Sequence, residues 1–155
     1  MISPGQTAPS FSIADQDGQL VSLSDFRNKK NVVLYFYPKD DTSGCTLEAS
    51  QFTALKEQFD KADTVILGVS KDDQSSHCNF IKKFDLNVSL LADTEGTLCE
   101  SYDVWQEKGT AEAPKMGIVR STFIIDKSGI IRSALYKVSA DGHAQEILDF
   151  INKTL

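Results

Sequence analysis

The sequence predicts an α/β domain with a central mixed β-sheet, helices on both faces of that sheet and a β-hairpin at the N-terminus. Two continuous runs of β-branched and aromatic residues, 31–37 and 64–69, are typical of strands buried on both faces. A segment of helical period lies between them, which predicts a right-handed crossover that makes the two strands parallel. The length of 155 residues fits one domain, predicted to span residues 1–155.

The first half of the chain supplies the hairpin and the first strand–helix alternations. Alternating residues flank the turn at 15–18, which predicts the hairpin. From Thr46 onward, Phe52, Leu55 and Phe59 fall on one helical stripe. The predicted elements are a hairpin over 11–13 and 20–23, a strand over 31–37, a helix from Thr46 onward, a strand over 64–69 and a helix over 74–84.

The second half continues the alternation and then changes to a hairpin and a closing helix. The segment 107–117 is rich in Gly, Ala, Pro and charged residues and is predicted to be a loop. The turn residues 126–129 separate two strand-like runs. The predicted elements are a strand over 88–91, a helix over 94–102, the loop, a hairpin over 121–125 and 130–138, and a helix over 141–155.

Charge and cysteine content exclude several classes of protein. The 16 basic and 22 acidic side chains give a formal net charge of −6, which disfavours nucleic acid or an anionic membrane as a partner. No apolar run approaches the ~20 residues that span a bilayer, and the first residues lack the features of a signal peptide. Three widely spaced cysteines do not form a secreted disulfide framework, so a cytoplasmic protein with reduced thiols is expected.

The segment 38–49 carries most of the chemical information. It follows the carboxyl end of a buried strand and opens a helix, and ligands and reactive groups collect at that edge of α/β sheets. Cys45 falls in the first helical turn, where unpaired backbone N–H groups and the helix dipole stabilise a thiolate. Thr42 places a hydroxyl three residues earlier. The residues alone leave two interpretations open, a reactive thiol or a small buried cysteine.

Other cysteine chemistry fits this chain less well. A dithiol exchanger has a second cysteine three residues after the first, where this chain has Glu48. A cysteine phosphatase loop has an arginine six residues after its cysteine, whereas Phe84 stands in that position after Cys78. The cysteines and histidines are too scattered to predict a zinc site, and no glycine-rich nucleotide-binding motif is present.

The same segment resembles the active site of the peroxiredoxin family. Pro38, Thr42 and Cys45 match its pattern of Pro, three residues, Thr or Ser, two residues and Cys. The surrounding sequence is similar to the bacterioferritin comigratory (Q-type) group over nearly the whole chain. The strings that carry this similarity are 8–11, 36–40, 42–46, 48–49, 67–72, 91–93, 117–123 and 142–144. The resemblance implies a thioredoxin-like fold and thiol-dependent reduction of hydrogen peroxide and organic hydroperoxides, with no metal or organic cofactor.

The resemblance also implies a role for each matching residue. Cys45 would attack the peroxide and become a sulfenic acid. Thr42 and Arg120 would polarise the peroxide oxygens, Pro38 would shield the thiolate from water, and Glu48 would orient the arginine. Arg120 precedes the strand 121–125, so it reaches the site only if that strand lies beside 31–37.

The resemblance leaves more than one candidate for the resolving thiol, which would reduce the sulfenic acid through a disulfide. Many members carry it five residues after the first cysteine, where this chain has Ser50. Others carry it in the helix after the next strand, where Cys78 lies about one turn earlier than expected. Cys99 is a competitor with the pattern of a buried, inert residue, and resolution by an external thiol stays open.

Partners and the main alternative function follow from the same resemblance. Thioredoxin or a similar dithiol is the expected reductant, and the group is often monomeric. A redox sensor or holdase on the same fold would share the chemistry of Cys45 but would pass the oxidation to a partner protein instead of turning over.

Overall fold

The computed structural model describes residues 1–155, and its elements follow the predicted order closely. The strands are β1 (Ser12–Ala14), β2 (Leu20–Ser22), β3 (Asn31–Phe36), β4 (Thr64–Ser70), β5 (Ser89–Ala92), β6 (Trp105–Gly109), β7 (Pro114–Ile118), β8 (Ser121–Ile125) and β9 (Ile131–Tyr136). The helices are α1 (Ser43–Ala54), α2 (Lys56–Lys61), α3 (Gln74–Phe84), α4 (Thr97–Ser101) and α5 (His143–Thr154), and one 3₁₀ turn covers Leu23–Phe26.

The central sheet has five strands in the order β5-β4-β3-β8-β9. β3 lies in the middle, parallel to β4 and antiparallel to β8. This arrangement confirms the predicted mixed sheet and the parallel pairing of the first two long strands. The register places Phe36 opposite Ser121, so β8 begins beside the carboxyl end of β3.

The side chains of β3 alternate between two hydrophobic cores. Val33, Tyr35 and Tyr37 face a core that includes residues of α1, α2, α3 and α5. Val32 and its alternate neighbours face the second core, which includes residues of α4 and the N-terminal segment. Because both faces are covered, every residue of β3 is buried, as its continuous apolar run predicts.

Three predicted elements differ from the structure. The segment 107–117 is not a loop, because β6 and β7 pair as a separate antiparallel hairpin around residues 110–113. Most of this hairpin is exposed, so no apolar alternation marks it in the sequence. The first helix begins at Ser43, earlier than its apolar stripe, and it breaks at Leu55. The fourth helix is shorter than predicted, covering only Thr97–Ser101.

None of the helices has the length and apolar character needed to cross a membrane.

Candidate active site

Cys45 lies at the start of α1, directly after the loop that follows the central strand β3. Thr42 has extended backbone dihedrals and is the N-cap, so Cys45 is the third residue of the helix. Only 2% of Cys45 is exposed. The first-turn backbone N–H groups have no partner within the helix, which favours a negative charge at this position.

Arg120 is the cation that contacts this sulfur. It precedes β8, and the antiparallel pairing of β8 with β3 brings it to the carboxyl end of the central strand. Its Nη2 atom donates to Cys45 Sγ at 3.3 Å, and its Nη1 atom donates to Glu48 Oε1 at 2.5 Å. One guanidinium therefore bridges the sulfur and a carboxylate, a geometry that its planar fork of donors allows.

The approach of this arginine depends on the residue before the cysteine. A Cβ atom at Gly44 would lie 3.1 Å from Arg120 Nη2, which is closer than an ordinary van der Waals contact. The absence of a side chain at Gly44 therefore leaves the space through which the guanidinium reaches Cys45.

Glu48 lies one turn after Cys45 and is fully buried. Burial raises the pKa of Glu48 to about 7, although the charge and hydrogen bond of Arg120 act in the opposite direction. Its Oε2 atom has no hydrogen-bond partner, and neither has the hydroxyl of Tyr35 in the same core. Burial raises the pKa of Tyr35 as well, and the charge of Glu48 adds to that effect.

Thr42 and Pro38 belong to the loop before Cys45, and neither makes a hydrogen bond to the sulfur. The Thr42 hydroxyl donates to the carbonyl oxygen of Lys39 at 2.9 Å and is exposed to solvent. Pro38 is half-buried between β3 and this loop. The structure thus joins Arg120 to both Cys45 and Glu48, whereas the hydroxyl of Thr42 is bonded to Lys39.

Asp40 is the buried acid of the loop, and no motif in the sequence marks it as a site residue. Its carboxylate accepts hydrogen bonds from Tyr37 and Ser76 and lies 2.7 Å from His77 Nδ1, and its backbone amide donates to Asp72 at 2.8 Å. Asp40 stands beside an exposed aspartate, Asp41, and nothing in the local pattern shows which of the two faces inward.

Asp40, Asp72 and His77 also form the one group of three side chains whose spacing would suit a metal ion. The Oδ2 atom of Asp40 already accepts from His77 and Ser76, and the Oδ2 atom of Asp72 accepts from Ser70 and from the Asp40 amide. Because protein donors already occupy these oxygens, the group fits a hydrogen-bond network better than a metal site.

The other two cysteines have contrasting environments. Cys78 is half-exposed on the outer side of α3, in a shallow groove with Gln16 and Lys82. Cys99 is completely buried, and burial together with Asp93 raises its pKa. All three cysteines are free thiols in this structure. The buried position predicted for Cys99 is confirmed.

Comparison with known proteins identifies the family. The model of the AhpC/TSA family matches residues 4–134. A putative peroxiredoxin bcp from Helicobacter pylori is 46% identical over 94% of this chain and 95% of its own length, and the peroxiredoxin Bcp of Bacillus subtilis is 45% identical over 95% and 93%. The fold also matches the Xanthomonas campestris bacterioferritin comigratory protein, with a TM-score of 0.88 and 37% identity over 92% of this chain and 90% of that one. That structure was solved to explain alkyl peroxide reduction from trapped intermediate and ligand complexes. The chain therefore belongs to the AhpC/TSA family as a peroxiredoxin of the bacterioferritin comigratory, or Q, type, a thiol-dependent peroxidase with a thioredoxin-like fold.

Proposed function

We propose that Cys45 is the nucleophile of this peroxidase and that Arg120 and Glu48 form its charged support. The observation that carries this proposal is the contact of 3.3 Å between the guanidinium of Arg120 and the Cys45 sulfur, at the N-terminal turn of a helix. A cation and unpaired backbone N–H groups favour the thiolate, which is the form that attacks a peroxide.

In the first step, the thiolate of Cys45 attacks one oxygen of the peroxide. An S–O bond forms, the O–O bond breaks, and the departing oxygen takes up a proton and leaves as water or an alcohol. Cys45 is oxidised by two electrons to a sulfenic acid. The negative charge spreads over both oxygens in the transition state, so donors that are already in place lower the barrier.

The hydrogen bonds of the site suggest how the peroxide is oriented. Arg120 has N–H groups beside Cys45 and donates to the oxygens. The proton of the Thr42 hydroxyl is already directed to the Lys39 carbonyl, so Thr42 meets the peroxide as an acceptor for its O–H group. Pro38 keeps bulk water from the sulfur, and Glu48 orients the guanidinium through its hydrogen bond.

Cys78 is the proposed resolving residue. Its sulfur attacks the sulfenic sulfur of Cys45, an S–S bond forms, the S–O bond breaks, and the hydroxyl leaves as water after taking up a proton. Cys78 lies on the outer side of α3, so this helix must unwind in part before the two sulfurs meet. Thioredoxin or a similar dithiol then reduces the disulfide and becomes oxidised itself.

A second route uses an external thiol that attacks the sulfenic acid of Cys45 directly. The outward position of Cys78 and the burial of Cys99 favour it, because neither sulfur faces Cys45 in the folded state.

Whichever route resolves Cys45, we propose that the protein is a monomer, that residues 1–155 form one domain, and that it acts in the cytoplasm on hydrogen peroxide. Organic hydroperoxides are included because the Xanthomonas relative reduces alkyl peroxides. Nucleic acids and membranes are not proposed as partners.

Intact mass and peptide mapping after one equivalent of peroxide, quenched at short times, test these steps. The expected product has lost two hydrogens and carries a Cys45–Cys78 cross-link. Oxygen added to Cys45 without a cross-link would support the external thiol. No rapid change at Cys45 would overturn the assignment of the nucleophile.

A further inference from the structure

The hydrogen bonds of Asp40 join the loop that leads to Cys45 with the helix that carries Cys78. Asp40 Oδ1 accepts from the Tyr37 hydroxyl at 2.5 Å, and Asp40 Oδ2 accepts from the Ser76 hydroxyl at 2.8 Å and from His77 Nδ1 at 2.7 Å. We call these four residues the Asp40 network. Ser76 and His77 lie in the first turns of α3, immediately before Cys78.

Geometry assigns charges to the central pair of this network. His77 Nε2 lies 2.9 Å from the carbonyl oxygen of Leu91, which can only accept, so Nε2 carries a proton. Asp40 accepts a hydrogen bond from a hydroxyl on each of its two carboxylate oxygens, from Tyr37 on Oδ1 and from Ser76 on Oδ2, which is the pattern of an ionised carboxylate. Burial opposes that charge, but the hydrogen bonds from His77, Tyr37 and Ser76 lower the pKa of Asp40 below its ordinary value. His77 Nδ1 therefore also donates, and the pair is an imidazolium–carboxylate ion pair.

This ion pair is almost completely shielded from water. The His77 side chain is 0% exposed and the Asp40 side chain 4%. Separation of a buried pair leaves each charge without its partner, which is strongly unfavourable until water reaches them. Unwinding the first turns of α3 would remove both His77 and Ser76 from Asp40 and leave only Tyr37 in place.

Asp40 also helps to fix the position of the loop between β3 and α1, which leads to Cys45. Its backbone amide donates to Asp72, and two residues later Thr42 is the N-cap of α1. The Asp40 carboxylate holds the same segment through its contacts with Ser76 and His77, so loss of these contacts loosens the loop that carries Pro38 and Thr42.

We infer that Asp40 and His77 are positioning residues that couple the two halves of the catalytic cycle. While their ion pair is intact, the loop is held for attack on the peroxide and Cys78 is held in α3, away from Cys45. When the pair separates, α3 unwinds, Cys78 becomes free to attack and the loop loosens in the same event. This inference rests on the proposed role of Cys78.

The coupling has a chemical consequence for the sulfenic acid. The longer Cys78 is retained, the longer the sulfenic acid of Cys45 is exposed to a second peroxide. One oxygen of that peroxide is transferred to the sulfur, and the remainder leaves as water or an alcohol. Cys45 is thereby converted to a sulfinic acid. The strength of the Asp40 network thus sets the ratio of disulfide to sulfinic acid at a given peroxide concentration.

Two neighbouring serines offer a matched pair of variants. Ser76→Ala removes one donor to Asp40, whereas Ser75→Ala changes an exposed residue of the same helical turn that gives Asp40 no hydrogen bond. Alanine is the better helix former in both positions, so neither change weakens α3 by propensity. A faster resolution step in the Ser76 variant alone would therefore come from the network and not from the helix.

Stopped-flow kinetics with peroxide would separate attack on Cys45 from disulfide formation, and mass spectrometry would measure the sulfinic acid. For Ser76→Ala we expect disulfide formation to be roughly tenfold faster, attack to be slower by a few-fold, and less sulfinic acid, since one hydrogen bond to a charged group is lost. Amide hydrogen exchange should accelerate both in the loop 40–42 and in 74–78. Ser75→Ala should match the wild type in every measurement.

Three outcomes would overturn the inference in distinguishable ways. Equal rates of disulfide formation in the two variants would show that the Asp40 network does not control the resolution step. Faster exchange in α3 with unchanged exchange in the loop would show that the two movements are independent. A wild-type protein that forms no Cys45–Cys78 disulfide would refute the proposed role of Cys78, and the inference would fail with it.

Discussion

Arg120 and Cys45 are 75 positions apart in the chain, yet the guanidinium Nη2 lies 3.3 Å from the sulfur. The same guanidinium contacts Glu48 through Nη1, so it is held from two sides. A donor with fixed geometry is more effective in a transition state than one that must reorganise.

Replacement of Arg120 by lysine should slow the attack on peroxide although the positive charge is kept. An ammonium group cannot donate to the sulfur and to Glu48 in the planar geometry of a guanidinium. We expect the second-order rate with hydrogen peroxide to fall roughly a hundredfold, as for loss of one oxyanion donor. Stopped-flow kinetics would measure it, with Arg132→Lys, an exposed arginine on β9, as the control. An unchanged rate in the Arg120 variant would show that the contact of one guanidinium with both Cys45 and Glu48 does not contribute to catalysis.

Tyr35 and Tyr37 should respond in opposite ways to the same substitution. The Tyr37 hydroxyl donates to the Asp40 carboxylate, so Tyr37→Phe should cost about 1.5–3 kcal/mol of unfolding free energy. The Tyr35 hydroxyl is buried without a partner, so Tyr35→Phe should be neutral or stabilising. Urea denaturation of both variants gives the two values. Equal losses would contradict the assigned hydrogen bonds.

Glu48 should make the stability of the protein depend on pH near neutrality. Its folded pKa of about 7 lies above the ordinary value of 4.5, so the folded state binds more protons between these values. The stabilising contribution of the neutral carboxyl is complete below about pH 4.5 and is lost as the pH rises through 7. Relative to Glu48→Gln, the wild type should lose up to about 3 kcal/mol between these limits.

Urea unfolding of the wild type and of Glu48→Gln at about pH 5 and about pH 8 would measure this difference. The glutamine keeps the size of the side chain and an oxygen acceptor for Arg120, but it does not titrate. If the difference between the two proteins is the same at both pH values, Glu48 has an ordinary pKa.

Cys99 and Cys78 should differ in their reaction with a thiol reagent. Burial raises the pKa of Cys99, so little thiolate forms there, and its sulfur is shielded from reagents. Cys78 is half-exposed in its groove. With iodoacetamide under native conditions, peptide mapping should show Cys78 modified and Cys99 intact. Urea should abolish this difference, and rapid native modification of Cys99 would contradict its packing.

Several features of the site could be predicted from the chain because they depend on local pattern. The continuous apolar run 31–37 predicts a strand buried on both faces, and β3 confirms it. The change to helical spacing places Cys45 near a helix start, and α1 confirms that as well. The condition for Arg120, that its strand lies beside 31–37, is satisfied by the pairing of β8 with β3.

Other features were not predictable, because they arise from long-range contacts or from exposed segments. The hairpin of β6 and β7 is mostly exposed and has no apolar alternation to reveal it. The contact of Asp40 with His77 joins residues 37 positions apart. Neither the loop position of the aspartate nor the helical position of the histidine shows that these two residues meet. They come into contact only because the loop and α3 pack together in the folded protein.

The sequence by itself determined the order of the central strands and of the helices around them, the position of Cys45 at a helix start and, through resemblance, the peroxidase family. Apolar periodicity and the motif around Cys45 act over a few residues, so they are visible in the chain. Only the tertiary structure decided that Arg120 reaches the sulfur, that Glu48 is buried beneath it and that Asp40 connects the loop to α3. Those relationships depend on which strands pair and which faces pack, and these choices are made between segments that are distant in sequence.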